Sequence, residues 1–184
     1  GVNDAPTRIQ CSDDGRIEIR GRGVELVNLS IENCLGGVQL INDYAVFDPF
    51  DFDAVYDFRT LTVNFTQVRF LNNAADPAAR QDTGGALTVG PGTRAVVQNC
   101  RFRGNTASTG GAILVDGAGL LQAKDSLFEE NEAGIAGGAI AAGFTENFFG
   151  RRVTIKIKRC DFRRNRDISG GEDVTGLTLS NGAP

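Results

Sequence analysis

The stretch RFRGNTASTGGAILV, residues 101 to 115, contains the two motifs that decide the fold of this chain. The first is Phe-x-x-Asn, formed by Phe102 and Asn105, and the second is a Gly-Gly pair followed by Ala and an aliphatic residue. Both motifs recur downstream in LFEENEAGIAGGAIAA, residues 127 to 142, and upstream in RFLNNAADPAARQDTGGALTV, residues 69 to 89. This recurrence predicts a solenoid in which each repeat forms one coil.

Four copies of the motif pair follow one another along the chain. They are Phe70/Asn73, Phe102/Asn105, Phe128/Asn131 and Phe162/Asn165, with Gly-Gly pairs at residues 84–85, 110–111, 137–138 and 170–171. Consecutive Phe residues are separated by 26 to 34 positions. We therefore expect a constant coil with loops of variable length.

The residues before each Phe alternate between apolar and polar, as in a strand with one buried face. In VTIKIKRCDF, Ile155 and Ile157 have one parity, whereas Cys160 and Phe162 have the other. The same change of phase occurs in VELVNLSI, LTVNFTQVRF, AVVQNCRF and LLQAKDSLF. A strand that bends at a corner explains it, because both arms then keep their apolar side chains inward.

A second alternation follows each Gly-Gly pair, as in Ile113/Val115. Three short strands per coil around one apolar interior define a parallel β-helix, with coils about 4.8 Å apart. The Phe side chains are then expected to stack as an interior ladder and the Asn side chains to stack at a turn. A β-sandwich with coincidental Gly-Gly pairs is the alternative.

The signatures RFRGN...GGAIL and LFEEN...GGAIA resemble those of the polymorphic outer membrane protein repeat, a family whose passenger regions are right-handed parallel β-helices on cell surfaces. Similar repeats occur in other large extracellular proteins of the pectin-lyase-like fold. The resemblance covers residues 61 to 176 and weakens at the ends, where SGGEDV lacks Ala-Ile and the segment from Ile31 to Cys34 has Ile for Phe and Cys for Asn. It implies adhesion or surface structure and supplies no catalytic residues.

The predicted architecture is thus all-β: one right-handed parallel β-helix domain over residues 1–184, with about five coils of three short strands and two loop insertions. Its parts are N-terminal coils at 1–42, an acidic aromatic insertion at 43–59, regular repeats at 60–176 with an insertion at 143–152, and a C-terminal extension at 177–184.

The composition limits the function. The chain has 41% hydrophobic and 23% charged residues, 24 glycines against 5 prolines, and no Met, Trp or His. These values are typical of an ordered, turn-rich β protein. The absence of His removes the commonest general base and metal ligand. No apolar run reaches the roughly 20 residues of a membrane helix, so we expect no membrane span.

The four cysteines fall into two groups. Cys100 and Cys160 occupy equivalent positions two coils apart, which places their Cα atoms about 9.6 Å apart from strand spacing; this exceeds the limit of about 7 Å for a disulfide. We expect two free thiols in the core. Cys11 and Cys34 lie about one coil apart and are the disulfide candidate, which would favour an oxidising compartment.

Two glycosylation sequons begin at Asn28 and Asn64. The phase of the strands places Asn64 outward and Asn28 at the corner, as a secreted glycoprotein would require. Sequons also arise by chance, and the sequence does not decide between these interpretations.

Two insertions carry the candidate interface residues. The segment 43–58 contains six aromatic residues and five aspartates, and its spacing matches no calcium loop. The segment 143–152 combines aromatic side chains with arginines. We expect both to cover the solenoid or a neighbouring protein. The candidates are Phe47, Phe50, Phe52, Tyr56, Phe148, Phe149, Arg151 and Arg152.

Charge is distributed unevenly. Residues 1–60 contain eleven acids and five bases, whereas residues 151–166 contain eight bases and one acid. Because the terminal coils of a solenoid are open strand edges, this asymmetry suggests head-to-tail stacking or a larger assembly. A solvated basic face is the alternative.

The sequence bears on three functions. The preferred one is a non-enzymatic structural or adhesive module, extracellular or at the cell surface, that packs with other protein subunits, itself included, and presents loops. The second is a carbohydrate-active enzyme or glycan-binding β-helix, but we find no outward carboxylate pair for the chemistry. Nucleic-acid binding is disfavoured because no aromatic residues interleave with the basic ones. We predict no catalytic residues, no metal and no cofactor.

Overall fold

In a computed structural model of the chain, the described residues form β-strands separated by tight corners. They are residues 7–11, 15–21, 23–42, 61–75, 84–117, 119–143, 153–169 and 174–175. The predicted insertions, apart from Gly143, and the C-terminal extension lie outside these ranges.

Within these ranges, twenty strands form four sheets, and every strand pair is parallel. Sheet 1 contains β1 (Thr7–Gln10), β4 (Leu29–Glu32), β7 (Arg69–Leu71), β10 (Arg101–Arg103), β14 (Leu127–Glu129) and β18 (Asp161–Arg163). Sheet 2 contains β3 (Val24–Val27), β6 (Leu61–Thr66), β9 (Thr93–Gln98), β13 (Leu120–Lys124) and β17 (Thr154–Lys158).

The other two sheets complete each coil. Sheet 3 contains β2 (Ile17–Ile19), β5 (Val38–Leu40), β8 (Leu87–Val89), β12 (Ile113–Val115), β16 (Ile140–Ala142) and β20 (Val174–Thr175). Sheet 4 contains β11 (Thr106–Thr109), β15 (Glu132–Ala136) and β19 (Arg166–Asp167).

The chain passes through the sheets in a fixed order. Each complete coil runs from sheet 2 to sheet 1, in the last three coils through sheet 4, and then through sheet 3 before returning to sheet 2. Successive coils therefore stack as parallel strands, and the molecule is a right-handed parallel β-helix. The predicted fold is confirmed. The sequence predicted three strands per coil, and sheet 4 adds a fourth short strand to three of the coils.

The predicted corner between sheets 2 and 1 is a residue with left-handed backbone conformation. One such residue stands between the two strands in each of five coils: Asn28, Gln67, Asn99, Asp125 and Arg159, with φ between 50° and 56°. A single left-handed residue turns the chain and shifts the side-chain parity, which is the phase change read from the sequence. Asn and Asp tolerate this conformation better than other non-glycine residues.

The side chains that the alternation predicts to point inward, before and after the corner, lie in the interior. Val63 and Phe65 on β6, then Val68 and Phe70 after the corner, are fully buried. Their partners in neighbouring coils are in register, since Val63 pairs with Ala95 and Phe65 with Val97. One apolar column therefore continues from coil to coil, as each coil repeats the shape of the one before it.

The Gly-Gly pairs are required by close backbone contacts. Gly110 has φ of +66°, a conformation that side-chain-bearing residues rarely adopt. A Cβ atom on Gly111 would lie 2.2 Å from the carbonyl oxygen of Gly138 in the next coil. The first glycine thus permits the turn before sheet 3, and the second permits the coils to approach each other.

Candidate functional site

The four Phe residues of the motif form a stacked ladder inside the helix, as predicted. Phe70 and Phe102 have ring centroids 4.5 Å apart, and the next two pairs in the series, Phe102 with Phe128 and Phe128 with Phe162, are both 4.8 Å apart. The interplanar angles are 4° to 6°, so the rings are parallel. The first three rings are fully buried and the last is half-buried.

The four Asn residues form a second ladder with a fixed direction. The Oδ1 atom of Asn105 accepts from both the Nδ2 and the backbone N–H of Asn73, each at 3.0 Å. Asn105 makes the same two donations to Asn131, and Asn131 makes them to Asn165. Each Nδ2 also donates to a backbone carbonyl of the preceding coil, as from Asn105 to Phe70 at 3.1 Å.

These bonds explain why a fully buried amide is tolerated in the interior. Asn73, Asn105 and Asn131 are each 0% exposed, and a buried polar group is destabilising unless its donors and acceptors are satisfied. Here both amide hydrogens and the carbonyl oxygen have partners. The repeated Asn thus locks the position of one coil on the next.

A disulfide lies at the N-terminal end of the Asn ladder. The backbone N–H of Cys34 donates to Oδ1 of Asn73 at 3.0 Å, so Cys34 occupies the position that Asn has in later coils. Cys34 is bonded to Cys11, with Cα atoms 4.9 Å apart. The candidate pair of the sequence therefore joins the first two coils covalently.

The other two cysteines are free thiols. Cys100 is buried, and its backbone N–H donates to the Oγ of Ser126, which lies between the two cysteines in the column. Burial raises the pKa of the Cys100 thiol to about 11 and also raises the pKa of the half-buried Cys160. Neither environment favours a reactive thiolate.

The outward side of sheets 1 and 4 carries an arginine–carboxylate network, which we call the ionic face. Glu129 accepts from Arg101 at 2.7 Å and from Arg164 at 2.8 Å. Arg164 also donates to Glu130 at 2.7 Å, and Arg159 forms a salt bridge with Asp125. The remaining pairs include Arg103 with Glu130 and Arg166 with Glu132.

The ionic face was missed in the sequence, although a signal was present. When LFEENE of residues 127–132 is placed over DFRRNR of residues 161–166, Glu130 falls on Arg164 and Glu132 on Arg166. Three arginines of the basic segment, Arg159, Arg164 and Arg166, are thus paired with carboxylates of the acidic coil before it. Reading the copies as stacked coils would have revealed these pairs.

The arginines lower the pKa of their carboxylate partners. The hydrogen bond from Arg101 is the largest cause of the lowered pKa of Glu129, and the hydrogen bond from Arg159 is the largest cause for Asp125. A carboxyl group held in the ionised form is poorly suited to act as a general acid. The network therefore fixes adjacent coils more readily than it supports proton transfer.

The structure places both sequons on the outer surface. Asn28 is exposed at the first corner, and Asn64 points outward from β6 and is partly exposed. The eight candidate interface residues lie outside the described residues, so their arrangement stays a prediction: Phe47, Phe50, Phe52, Tyr56, Phe148, Phe149, Arg151 and Arg152.

The described ranges lack two other kinds of site. They contain no group of three or more His, Cys, Asp or Glu side chains placed to hold a metal ion. In the same ranges, no helix is both long enough and apolar enough to span a bilayer.

The fold and the two ladders define a class of protein, the parallel β-helix repeat proteins. Within that class, residues 99–116 match the family model of the Chlamydia polymorphic membrane protein repeat. The match begins at the corner residue Asn99, includes Phe102, Asn105 and the Gly110–Gly111 pair, and ends after β12. The resemblance read from the sequence is therefore confirmed. No curated protein and no solved structure matches the chain.

The match has a limited functional meaning. The Chlamydia polymorphic membrane proteins are surface proteins of the outer membrane. The match relates the repeat of the present chain to a family of surface or membrane-associated proteins.

Proposed function

We propose that this chain is a non-enzymatic structural or adhesive module of an extracellular or cell-surface assembly. It acts by presenting its loops and by packing laterally or head-to-tail with other protein subunits, in a filament or a larger complex. One observation carries this proposal: the residues that match a surface-protein repeat, 99–116, supply one rung of each ladder, Phe102 and Asn105, and the close coil contact at Gly111. The residues of the repeat therefore form the scaffold.

Adhesion and glycosylation belong to the same proposal. The described outer surface offers Asn28 and Asn64 as glycan acceptors, both reachable from solvent. Loops that leave a rigid solenoid are suited to contact a partner or a glycan, because variable loops on a fixed scaffold often carry binding. A glycoprotein with these properties belongs outside the cell, where the Cys11–Cys34 bond would also persist.

The test is accessibility on intact cells that produce the protein. A membrane-impermeant biotin reagent should label the lysines of the chain, such as the exposed Lys156, before lysis. A cytosolic protein of the same cells is the control for leakage. Labelling that appears only after lysis would contradict the surface assignment.

One observation favours a second candidate, a carbohydrate-active enzyme or glycan-binding β-helix. Glu129 and Glu130 are adjacent carboxylates on the ionic face, an arrangement that the sequence reading did not identify. Against catalysis stands their pairing with arginines, which lowers the pKa of Glu129. Depolymerisation of acidic and neutral polysaccharides that disappears in E129Q or E130Q would establish the enzyme and overturn the non-enzymatic proposal.

A further inference from the structure

Two neighbouring strands in the middle of sheet 1 carry a basic surface that the ion pairs of the ionic face leave partly uncompensated. These strands, β7 and β10, are interior strands of the sheet, with β4 on one side and β14 on the other. In the two strands and the corners beside them, residues 67–72 and 99–104, the exposed side chains are three arginines and three amides. We call this set the arginine patch: Gln67, Arg69, Asn72, Asn99, Arg101 and Arg103.

The register places two arginines of the patch side by side. Arg101 is paired with Arg69 across the two strands, and both side chains are exposed. Charged residues in register at other described positions of sheets 1 and 4 have opposite charges, as for Arg103 with Glu129. Like charges directly opposite each other destabilise a sheet. An anion bound between Arg69 and Arg101 would remove this repulsion.

Arg69 has no carboxylate partner among the residues that the structure describes. Glu32 lies on the preceding strand, β4, but its carboxylate contacts Arg8 at 2.5 Å and accepts from Ser30 at 2.7 Å. On the following strand, the residue in register with Arg69 is Arg101. The charge of Arg69 is therefore compensated from neither side of its strand.

Arg101 and Arg103 retain donors for a further anion. Arg101 donates to Glu129 through Nη2 at 2.7 Å, and Arg103 donates to Glu130 through Nε at 2.9 Å. Arg164 donates to both carboxylates, so three arginines share two acidic groups. A guanidinium has five N–H donors in a planar fork that matches a carboxylate or a tetrahedral oxyanion. The patch thus combines a positive excess with donors that can point at a ligand.

The other groups of the patch favour a polysaccharide as the ligand. Gln67, Asn72 and Asn99 present exposed amides, which can donate to and accept from sugar hydroxyls. No aromatic side chain is exposed in residues 67–72 or 99–104, so a nucleobase finds no ring on which to stack. The core of a protein interface is apolar and poor in charged residues, and here Leu71 is the single outward apolar side chain of β7 and β10 and is only partly exposed.

We propose that the arginine patch binds an acidic polysaccharide. Its anionic groups, carboxylate or sulfate, lie between Arg69 and Arg101, and its hydroxyls contact the flanking amides. This inference deepens the proposed function and rests on it, because it names the class of ligand that the surface module binds. It also places the binding on the rigid sheet and not in the loops.

The test is calorimetric titration of the purified protein with three polysaccharides. Dextran sulfate and dextran share one backbone and differ in charge, and polygalacturonate supplies carboxylates instead of sulfates. At least one of the two polyanions should bind saturably, with an affinity that falls as the salt concentration rises, whereas dextran should not bind. The polyanion that binds more tightly identifies the preferred anionic group. Absence of binding to both would overturn the proposal.

Three variants locate the binding. Arg69→Gln breaks no ion pair of the described residues, so the melting temperature should not fall, but binding should weaken by roughly fivefold. Arg69→Glu places a carboxylate opposite Arg101, so this variant should melt at or above the wild-type temperature and lose binding. Lys156→Gln is the matched control, because it removes one positive charge at an exposed position of sheet 2, and it should bind as the wild type does.

Two further results would overturn the proposal. Equal losses of affinity in Arg69→Gln and Lys156→Gln would mean that net charge, and not the patch, binds the polysaccharide. A single-stranded DNA oligonucleotide that binds as tightly as the polysaccharides, and loses as much affinity in Arg69→Gln, would replace the polysaccharide by any polyanion. Neither result changes the labelling of intact cells, and labelling only after lysis would leave the titrations unchanged, so the surface function and this inference fail separately.

Discussion

The side-chain Nδ2 of Asn105 donates to the Oδ1 of Asn131 over 2.8 Å, and the backbone N–H of Asn105 donates to the same oxygen over 3.1 Å. One amide oxygen thus receives two hydrogen bonds from the coil before it. The relationship recurs in three consecutive steps of the ladder. It makes the Asn ladder a continuous hydrogen-bonded column in an otherwise apolar interior.

We expect Asn105→Leu to destabilise the protein strongly. The change removes the acceptor of two donors of Asn73 and the two Nδ2 donations of Asn105, to Asn131 and to the Phe70 carbonyl, whereas the backbone donation to Asn131 remains. Because each unsatisfied buried group costs about 1–3 kcal/mol, the free energy of unfolding should fall by roughly 2–5 kcal/mol. Urea unfolding followed by circular dichroism measures the loss. Asn64→Leu, an outward position on β6, is the control, and equal losses for the two variants would contradict the ladder's role.

The Phe ladder predicts a gradient of stability along the helix. Phe128 is fully buried between Phe102 and Phe162, so Phe128→Ala should cost about 3–5 kcal/mol. Phe162 is half-buried and, among the described residues, stacks on one ring alone, so Phe162→Ala should cost clearly less. Chemical denaturation of both variants gives the comparison. A loss below about 1 kcal/mol for Phe128→Ala is incompatible with a large-to-small change in a packed core.

The Gly-Gly motif makes a steric prediction. In Gly111→Ala the new Cβ would lie 2.2 Å from the Gly138 carbonyl oxygen, so adjacent coils would have to separate. Gly134 is the matched control, because its added Cβ would have its nearest neighbour at 3.8 Å and its φ is not in the left-handed region. Gly111→Ala should lower the melting temperature by several degrees, as expected for overpacking of about 1–3 kcal/mol. Gly134→Ala should leave the melting temperature unchanged or raise it slightly.

The elements that could be predicted from the sequence are those that repeat in every coil. The change of phase between Ile157 and Cys160 predicted the corner, and the structure supplies its cause in the left-handed Arg159. Both ladders follow from periodicity, since identical side chains at equivalent positions must stack when the coils stack. The fold was therefore accessible without any long-range information.

The ionic face was not predicted, for a physical reason. Pairs such as Asp125 with Arg159 are 34 residues apart, and only the register of β13 on β17 brings them together. Single-strand alternation reports which side chains point outward but not which of them face each other. Sheet 4 was missed for a related reason: Ala133 is buried, whereas Gly134 and Ile135 are exposed, so β15 lacks the alternation that marks a strand.

Removal of the disulfide should destabilise the first coils. Cys11 and Cys34 are separated by 23 positions, and cross-linking a loop of that length stabilises a fold by about 3 kcal/mol through the unfolded chain. A Cys11→Ala/Cys34→Ala variant should show this loss in equilibrium unfolding. Cys160→Ala is the control, because Cys160 is a free thiol. Amide exchange should accelerate in β1 and β2 more than in β12; uniform acceleration would contradict a local role for the bond.

Acid should weaken the contact between the last two coils through the ionic face. The pKa of Glu129 is lowered, chiefly by the hydrogen bond from Arg101, and that of Asp125 is lowered by Arg159. A carboxyl group whose pKa is lower in the folded state adds stability above its unfolded pKa of about 4. That stability is lost as the pH falls through the lower folded value.

The urea midpoint should therefore decrease between pH 6 and pH 3. In E129Q the decrease should be smaller, because Gln cannot be protonated over this range and the variant is already weakened at pH 6. Glu25→Gln, at an exposed position of β3, is the control and should follow the wild-type profile. Because these ion pairs lie at the surface, 0.5 M salt should reduce the pH effect in the wild-type protein. Identical profiles for E129Q and the wild type would mean that the Glu129 contacts add nothing to stability.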